Sequence, residues 1–358
     1  MIPYYIMIAL PFLMSVVQFE SQARQLITKK KNYPILVFFA VYFLLLALRH
    51  AQIGSDTVRY LEVYEQIKVT GWLDLTNVRE SEFAYTLLNK LVSFVFDNKQ
   101  VFLAVAAAIT VIPLAKLYYE ESENSMVSIA LFLVYPVFMM NFSGIRQGLA
   151  ISMGAFAYFA VKKKKPIRFI LVVLLAMSFH QSAFILLLMY PLYHMRMRPV
   201  HLPILIPIYA LIFLFNDRVY RFVLPLLGDK YADRYDELGE TGAYTMIILM
   251  VLFFLYAFIV PSKDQMDPVT WGFRNFLVLA LVIQLFAPIS PIAMRLNYYY
   301  IIFIPLLIPR ITTRWKSVDP FITKVVNIVM IVFFIGYYIL FTTKANSLNI
   351  YPYIPFWQ

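Results

Sequence analysis

The chain has 358 residues, 61% of them hydrophobic and 17% aromatic, with only 14% charged and a net charge of +11. A soluble domain sits nearer half apolar and a quarter charged, so water cannot be its only solvent. Cysteine is absent and there are four histidines, which excludes disulfides and thiolate sites; without an HExxH or a glycine-rich phosphate loop, zinc and nucleotide chemistry have no motif either.

Apolar runs cover residues 1–19, 33–48, 101–119, 126–140, 145–161, 167–179, 182–193, 202–215, 244–260, 273–287, 298–309 and 321–341. Each is long enough, or nearly so, for a hydrocarbon core of about 30 Å. They predict an all-α, polytopic membrane protein of about twelve transmembrane helices, with ten to fourteen as the range. The first run lacks a basic leader and a cleavage site, so it reads as a span rather than a removed signal. The short runs on either side of His180 could instead form one re-entrant hairpin, tolerated only inside protein or a wet cavity. No repeat or linker divides the chain, so residues 1–358 read as one transmembrane domain.

Basic clusters at Lys29–Lys31, Lys162–Lys165, Arg196 with Arg198, and Arg310, Arg314 and Lys316 all fall on one side when twelve spans alternate. That side is cytoplasmic by the positive-inside rule, and both termini face outward. The segments assigned inside carry the whole +11, while the outer segments sum to zero. The charge is thus a topology signal and calls for no nucleic acid. Two longer loops fall outside, at 50–100 and 216–243. In the first, residues 58–67 and 83–96 repeat apolar side chains at helical spacing, as in helices lying on a membrane surface or capping a cavity. The second contains Asp229, Lys230, Asp233, Arg234, Asp236 and Glu237 and reads as a solvated helix and loop.

Polar residues at or inside span ends collect on the outer face: Arg49, Asp56, Glu82, Arg146, Gln147, His180 and Arg295. Charge inside a membrane segment is costly, so each is a functional candidate. Each also has an ordinary structural role open to it. Arg146 could snorkel to a lipid phosphate, although Gln147 and the flanking Gly144 and Gly148 favour a site with a close neighbour. His180 could cap a helix end, exchange a proton, or hold a phosphate once protonated. Arg295, just before Tyr298, Tyr299 and Tyr300, could be an interface anchor, or could join Arg146 in a two-guanidinium grip on a pyrophosphate. Gly54 permits a turn after which Ser55 or Asp56 would cap a helix, and Glu82 opens the second amphipathic stretch.

The segments RHAQIGSDTVRY at 49–60, SEFAYTLLNKL at 81–91, SGIRQGLA at 143–150 and SFHQSA at 178–183 occur in that order. Together they resemble the EpsG/Wzy-type polysaccharide polymerases of O-antigen, exopolysaccharide and capsule assembly. Arg295 before its tyrosines is a weaker late feature. The resemblance implies transfer of a growing glycan from polyprenyl pyrophosphate to a lipid-linked repeat unit, outside the bacterial cytoplasmic (inner) membrane. It also implies a GT-C-like architecture without metal or cofactor, and a chain-length regulator as a possible partner. By position, the family's motif residues fall on Arg49, Asp56, Tyr60, Glu82, Arg146, Gln147, His180 and Ser182.

Glu82, Asp56 and His180 are therefore the candidates for acid–base work. Arg49, Tyr60, Arg146, Gln147, Ser182, Arg295 and Tyr298 are the candidates for binding pyrophosphate or glycan. Arginines would stabilise the departing pyrophosphate, and a base would take the proton of an acceptor hydroxyl attacking from the opposite face, with inversion. An acid of the outer loop is favoured as that base and His180 as a pyrophosphate partner. A flippase or secondary carrier is the main rival, expected to spread polar residues through the midplane rather than crowd them on one face. An O-antigen ligase-like enzyme is the nearer one.

Overall fold

Inside a bilayer the backbone has no water to bond to, so an apolar chain satisfies its own amides as helix. The computed structural model describes residues 1–23, 32–78, 82–223, 243–261, 266–315 and 318–358. The regular structure of these residues is helical, with one isolated antiparallel bridge between Arg49 and Pro355. Lys29, Lys30, Lys31 and Lys316, and the charged residues named above at 229–237, lie outside the described residues.

By packing the chain forms two units, Met1–Leu187 with Pro320–Gln358, and Leu188–Asp319. The first contains α1 (Ile2–Ala23), α2 (Tyr33–Ala47), α3 (Thr57–Val69), α4 (Phe83–Val95), α5 (Lys99–Glu121), α6 (Ser125–Val134), α7 (Pro136–Ser143), α8 (Ile145–Lys162) and α9 (Pro166–Phe179). The second contains α10 (Met189–His194), α11 (Leu202–Leu214), α12 (Asn216–Val223), α13 (Tyr244–Ile259), α14 (Pro268–Gln284), α15 (Pro291–Ile301) and α16 (Ile304–Thr313). The chain returns to the first unit with α17 (Pro320–Tyr337), extended by a π-helical turn over Tyr338–Thr342. Helix starts are marked as the sequence chemistry requires. The side chains of Asn98, Asn124, Asp267 and Ser290 accept from first-turn amides, and Pro136, Pro166, Pro268 and Pro291 open helices where their missing N–H costs nothing.

Among the described residues two helices, Lys99–Glu121 and Pro320–Ala345, are long and apolar enough to cross a membrane alone, and up to five spans result if each of three bent pairs counts as one. The twelve apolar runs thus do not each become one full-length helix. The run at 126–140 bends by 61° between α6 and α7, because Tyr135 precedes Pro136 and takes an extended conformation. The run at 298–309 crosses a 45° break between α15 and α16, with Pro305 in the first turn after it. The run at 182–193 is a 3-10 helix, Gln181–Leu188, followed by the short α10. The two amphipathic stretches of the first loop do form helices, α3 and α4, within about two residues of the expected ends.

In the first unit α5 packs on α2 and α8, α8 on α9, and α6 on α17. Polar contacts gather at the two ends of these helices. At one end Asn32 Nδ2 donates to the carbonyls of Tyr119 (2.8 Å) and Ser122 (2.9 Å), and Lys162 pairs with Glu121. At the other end lie the α2–α3 turn, the α7–α8 junction and the C-terminal end of α9. In the second unit α14 is the centre, touching α10, α13, α15 and α16. Its Arg274 is sandwiched between the rings of Trp271 (4.3 Å) and Phe258 (4.4 Å). The Asp267 carboxylate accepts from Arg310 and Arg314, both at 2.9 Å.

Candidate active site

The site begins at a glycine. After α2 the chain must turn to start α3, and Gly54 does so at φ +91°, a conformation L side chains rarely adopt. A Cβ there would stand 2.1 Å from the carbonyl oxygen of Phe142, so the turn is pressed directly onto the end of α7. Hydroxyls pin the contact: Ser55 Oγ lies 2.8 Å from Ser143 Oγ, and Thr57 Oγ1 donates to Phe142 O at 3.1 Å. The segment at 49–60 is thereby docked on the segment at 143–150. Asp56 occupies the N-cap position of α3, yet its side chain makes no capping bond and stays exposed, with Ser55 Oγ donating to Oδ1 at 3.3 Å.

Glu82 also stands at an N-cap, that of α4, and likewise does not cap it. Its carboxylate turns to two other motifs. Oε2 accepts from Arg146 Nη1 at 2.6 Å, and Oε1 is 2.9 Å from His180 Nδ1. Arg146 sits in the first turn of α8, beyond the break at Gly144. Its guanidinium carbon is 5.7 Å from the ring centroid of Tyr60 and 6.0 Å from that of Tyr85, within reach of cation–π attraction. The two rings meet edge to face at 5.7 Å. His180 terminates α9 in extended conformation, where its side chain can leave the helix axis. Gly148, one turn on from Gly144, admits a neighbour as expected: a Cβ there would be 2.8 Å from Asn141 Oδ1.

Burial pushes the Glu82 carboxyl up, but the hydrogen bond with His180 and the charge of Arg146 outweigh it and hold the group below the usual glutamate range. Burial raises the Tyr60 phenol against the opposing charge of Arg146, with Asp56 and Glu82 adding to the rise. The result is a carboxylate kept ionised between a cation and an imidazole, beside a protonated phenol.

The other candidates are distributed differently. Gln147 and Ser182 are buried within the first unit, in α8 and at the start of the 3-10 helix after His180. Arg49 is buried at the end of α2, donates to the Leu46 carbonyl, and lies beneath residues 346–356. That tail pairs with its loop by backbone bonds, His50 N to Ile354 O at 2.8 Å and Phe356 N to Leu48 O at 2.9 Å. Arg295 and Tyr298 belong to the second unit, on α15, with Arg295 exposed and Tyr298 buried. Sequence reasoning did not single out Tyr85, Ser143 or the tail. The first two lie inside the quoted segments and were legible only as motif neighbours; the tail has no periodicity to announce it.

Apolar helices, bent spans and a charged cluster at one end define a multi-pass membrane protein with a polar site at helix termini. The model of the EpsG family matches residues 32–354. The chain belongs to the EpsG family, whose members are Wzy/EpsG-type polysaccharide polymerases. No curated protein and no solved structure matches it.

Proposed function

We propose that the protein polymerises a polysaccharide by transferring a growing glycan from polyprenyl pyrophosphate to a lipid-linked repeat unit on the extracytoplasmic side of the bacterial cytoplasmic membrane. The observation that carries this reading is the meeting of three of the four motif segments at the Glu82 carboxylate, through Arg146 and His180. The fourth segment is docked alongside through Ser55, Ser143 and Tyr60. The side is supported by the basic run Lys162–Lys165 at the C-terminal end of α8, away from Arg146 in its first turn, which the positive-inside rule would place in the cytoplasm.

In this reading Arg146 faces the donor pyrophosphate. As the anomeric C–O bond breaks, the electron pair leaves with the pyrophosphate, and a guanidinium set beside Tyr60 and Tyr85 stabilises that charge. The acceptor hydroxyl attacks the anomeric carbon from the opposite face, inverting it, and gives its proton to a base. The geometry supports His180 in that role. Facing an ionised carboxylate, Nδ1 carries the ring proton, which leaves Nε2 as the acceptor. Glu82 then positions His180 and stabilises the imidazolium. This moves the base from the outer-loop acid favoured from sequence to His180, and gives Glu82 a positioning role in place of one as base. Arg49 supports the α2–α3 turn from within, and Asp56 stands exposed beside Tyr60 as a candidate for glycan contact. Arg295 and Tyr298, on α15, are kept as candidate glycan or pyrophosphate contacts.

The test supplies purified full-length protein with a synthetic polyprenyl-pyrophosphate-linked repeat unit in EDTA and resolves products by length. A ladder of polymer is expected, lost about 10²–10³-fold in rate in Arg146→Ala. Transbilayer movement of the same lipid without any ladder would overturn the polymerase reading in favour of a carrier.

A further inference from the structure

Glu82 is shared between two partners that the reaction uses for different purposes. Arg146 and His180 are both about a quarter exposed at their side chains (27% and 28%), so the trio is open to a ligand rather than sealed in the core. Glu82 is not bonded to the first-turn amides of its own helix, although it stands where a glutamate could cap them. Among the described residues its side-chain partners are Arg146 and His180, beside a hydrogen bond from its own backbone amide.

A carboxylate and a phosphate offer a guanidinium the same kind of acceptor edge, and a pyrophosphate offers it with more charge and two-point geometry. In the unliganded protein a bare arginine at a membrane span end would be costly. We infer that Glu82 is a resident stand-in for the donor's pyrophosphate: it occupies Arg146 in the resting protein and is displaced from it when the pyrophosphate binds. This inference rests on the proposed role of Arg146 as the pyrophosphate ligand. Displaced from Arg146, Glu82 keeps His180 as its partner. Its negative charge is then no longer shared with a guanidinium, so it holds the imidazole proton at Nδ1 more strongly and makes Nε2 a better proton acceptor. Donor binding thereby prepares the base. The Tyr60 and Tyr85 rings lie within cation–π reach of Arg146, and the Tyr60 side chain also hydrogen-bonds the guanidinium, so two of its neighbours stay in place while the anions exchange. Asp56, through Tyr60, is the other acid near this edge.

The probe is inorganic pyrophosphate, titrated calorimetrically into detergent-purified full-length protein at fixed ionic strength. Glu82→Gln removes the competitor's charge and should bind pyrophosphate about fivefold more tightly than wild type, the scale of a partly exposed ion pair. In polymer synthesis the same variant should show a lower KM for the donor and a lower kcat, because His180 loses its orienting anion. Arg146→Ala should lose pyrophosphate binding. If Arg146→Ala loses binding while Glu82→Gln binds no more tightly than wild type, Glu82 is a fixed prop and the inference fails alone. If Arg146→Ala binds like wild type, the pyrophosphate reading of Arg146 fails and the inference falls with it. A measurement on the unaltered protein guards against misfolding of the variants: ¹⁵N resonances of the four histidines, assigned with His180→Asn, are followed during the titration. The His180 signal should move, and an unmoved His180 signal at saturation overturns the inference.

Discussion

Arg146 shows how much a single side chain depends on those around it. Its guanidinium lies within cation–π reach of two tyrosine rings and is paired with one carboxylate. Lysine would keep the charge but lose both the planar fork and the stacking, so Arg146→Lys should recover little of the polymerisation rate lost in Arg146→Ala; full activity would remove the bidentate argument. Glu82 carries a pH signature with a definite sign. Its pKa is depressed in the folded state, so the stability it contributes is present above the unfolded glutamate value of about 4.3 and is lost as pH falls through the lower folded value. Thermal unfolding of wild type and Glu82→Gln should therefore differ at pH 7 and converge on acidification below about pH 4. Gly54→Ala demands both a left-handed backbone and space already taken by Phe142. It should cost at least about 1 kcal/mol and lower activity by shifting Ser55 and Asp56 off the α7–α8 junction.

Among the elements, the tail after α17 is the one whose loss should be most informative. Residues 346–356 clamp the α2–α3 turn from outside: Asn349 O and Leu348 O accept from Gly54 and Ser55, at 3.1 and 3.0 Å, and Ile350 O accepts from Tyr4 at 2.6 Å. Asn346, in a left-handed conformation, bonds Ile350 N and Tyr351 N through its side chain and so shapes the tail that does this. Truncation after Ala345 should leave the protein inserted in the membrane but expose the turn to protease at residues 50–56 and reduce polymerisation sharply. Unchanged protease resistance would show that the turn holds itself. In the second unit, Asp267 answers two arginines and caps α14. Burial raises its carboxyl, but Arg310 and Thr270 outweigh this and depress it. Asp267→Asn removes the anion that faces the buried Arg310, leaving its bond to Thr270, and should cost about 1–3 kcal/mol at neutral pH, read from thermal unfolding.

For the whole molecule, the absence of cysteine makes topology directly measurable. Gln52→Cys, in the α2–α3 turn, should react with an impermeant maleimide on intact cells. Lys164→Cys, in the α8–α9 turn, should react only after permeabilisation. The reverse pattern would move the site to the cytoplasm. Composition, apolar periodicity and motif order were enough to read a helical membrane protein and the two helices of the first loop, and to name Glu82, Arg146 and His180 as candidates, because solvent preference and motif order are written locally along the chain. Three things were decided only in three dimensions. The apolar runs at 126–140 and 298–309 bend instead of spanning straight, since whether a proline ends or bends a helix depends on what packs around it. Arg49 went beneath the tail rather than into the Glu82 cluster, because burial of a cation is settled by the carbonyls and rings that surround it. And the carboxylate of Glu82, which in sequence is one more acid at a helix start, acquired its partners from segments 64 and 98 residues away; no local pattern encodes a contact that only packing creates.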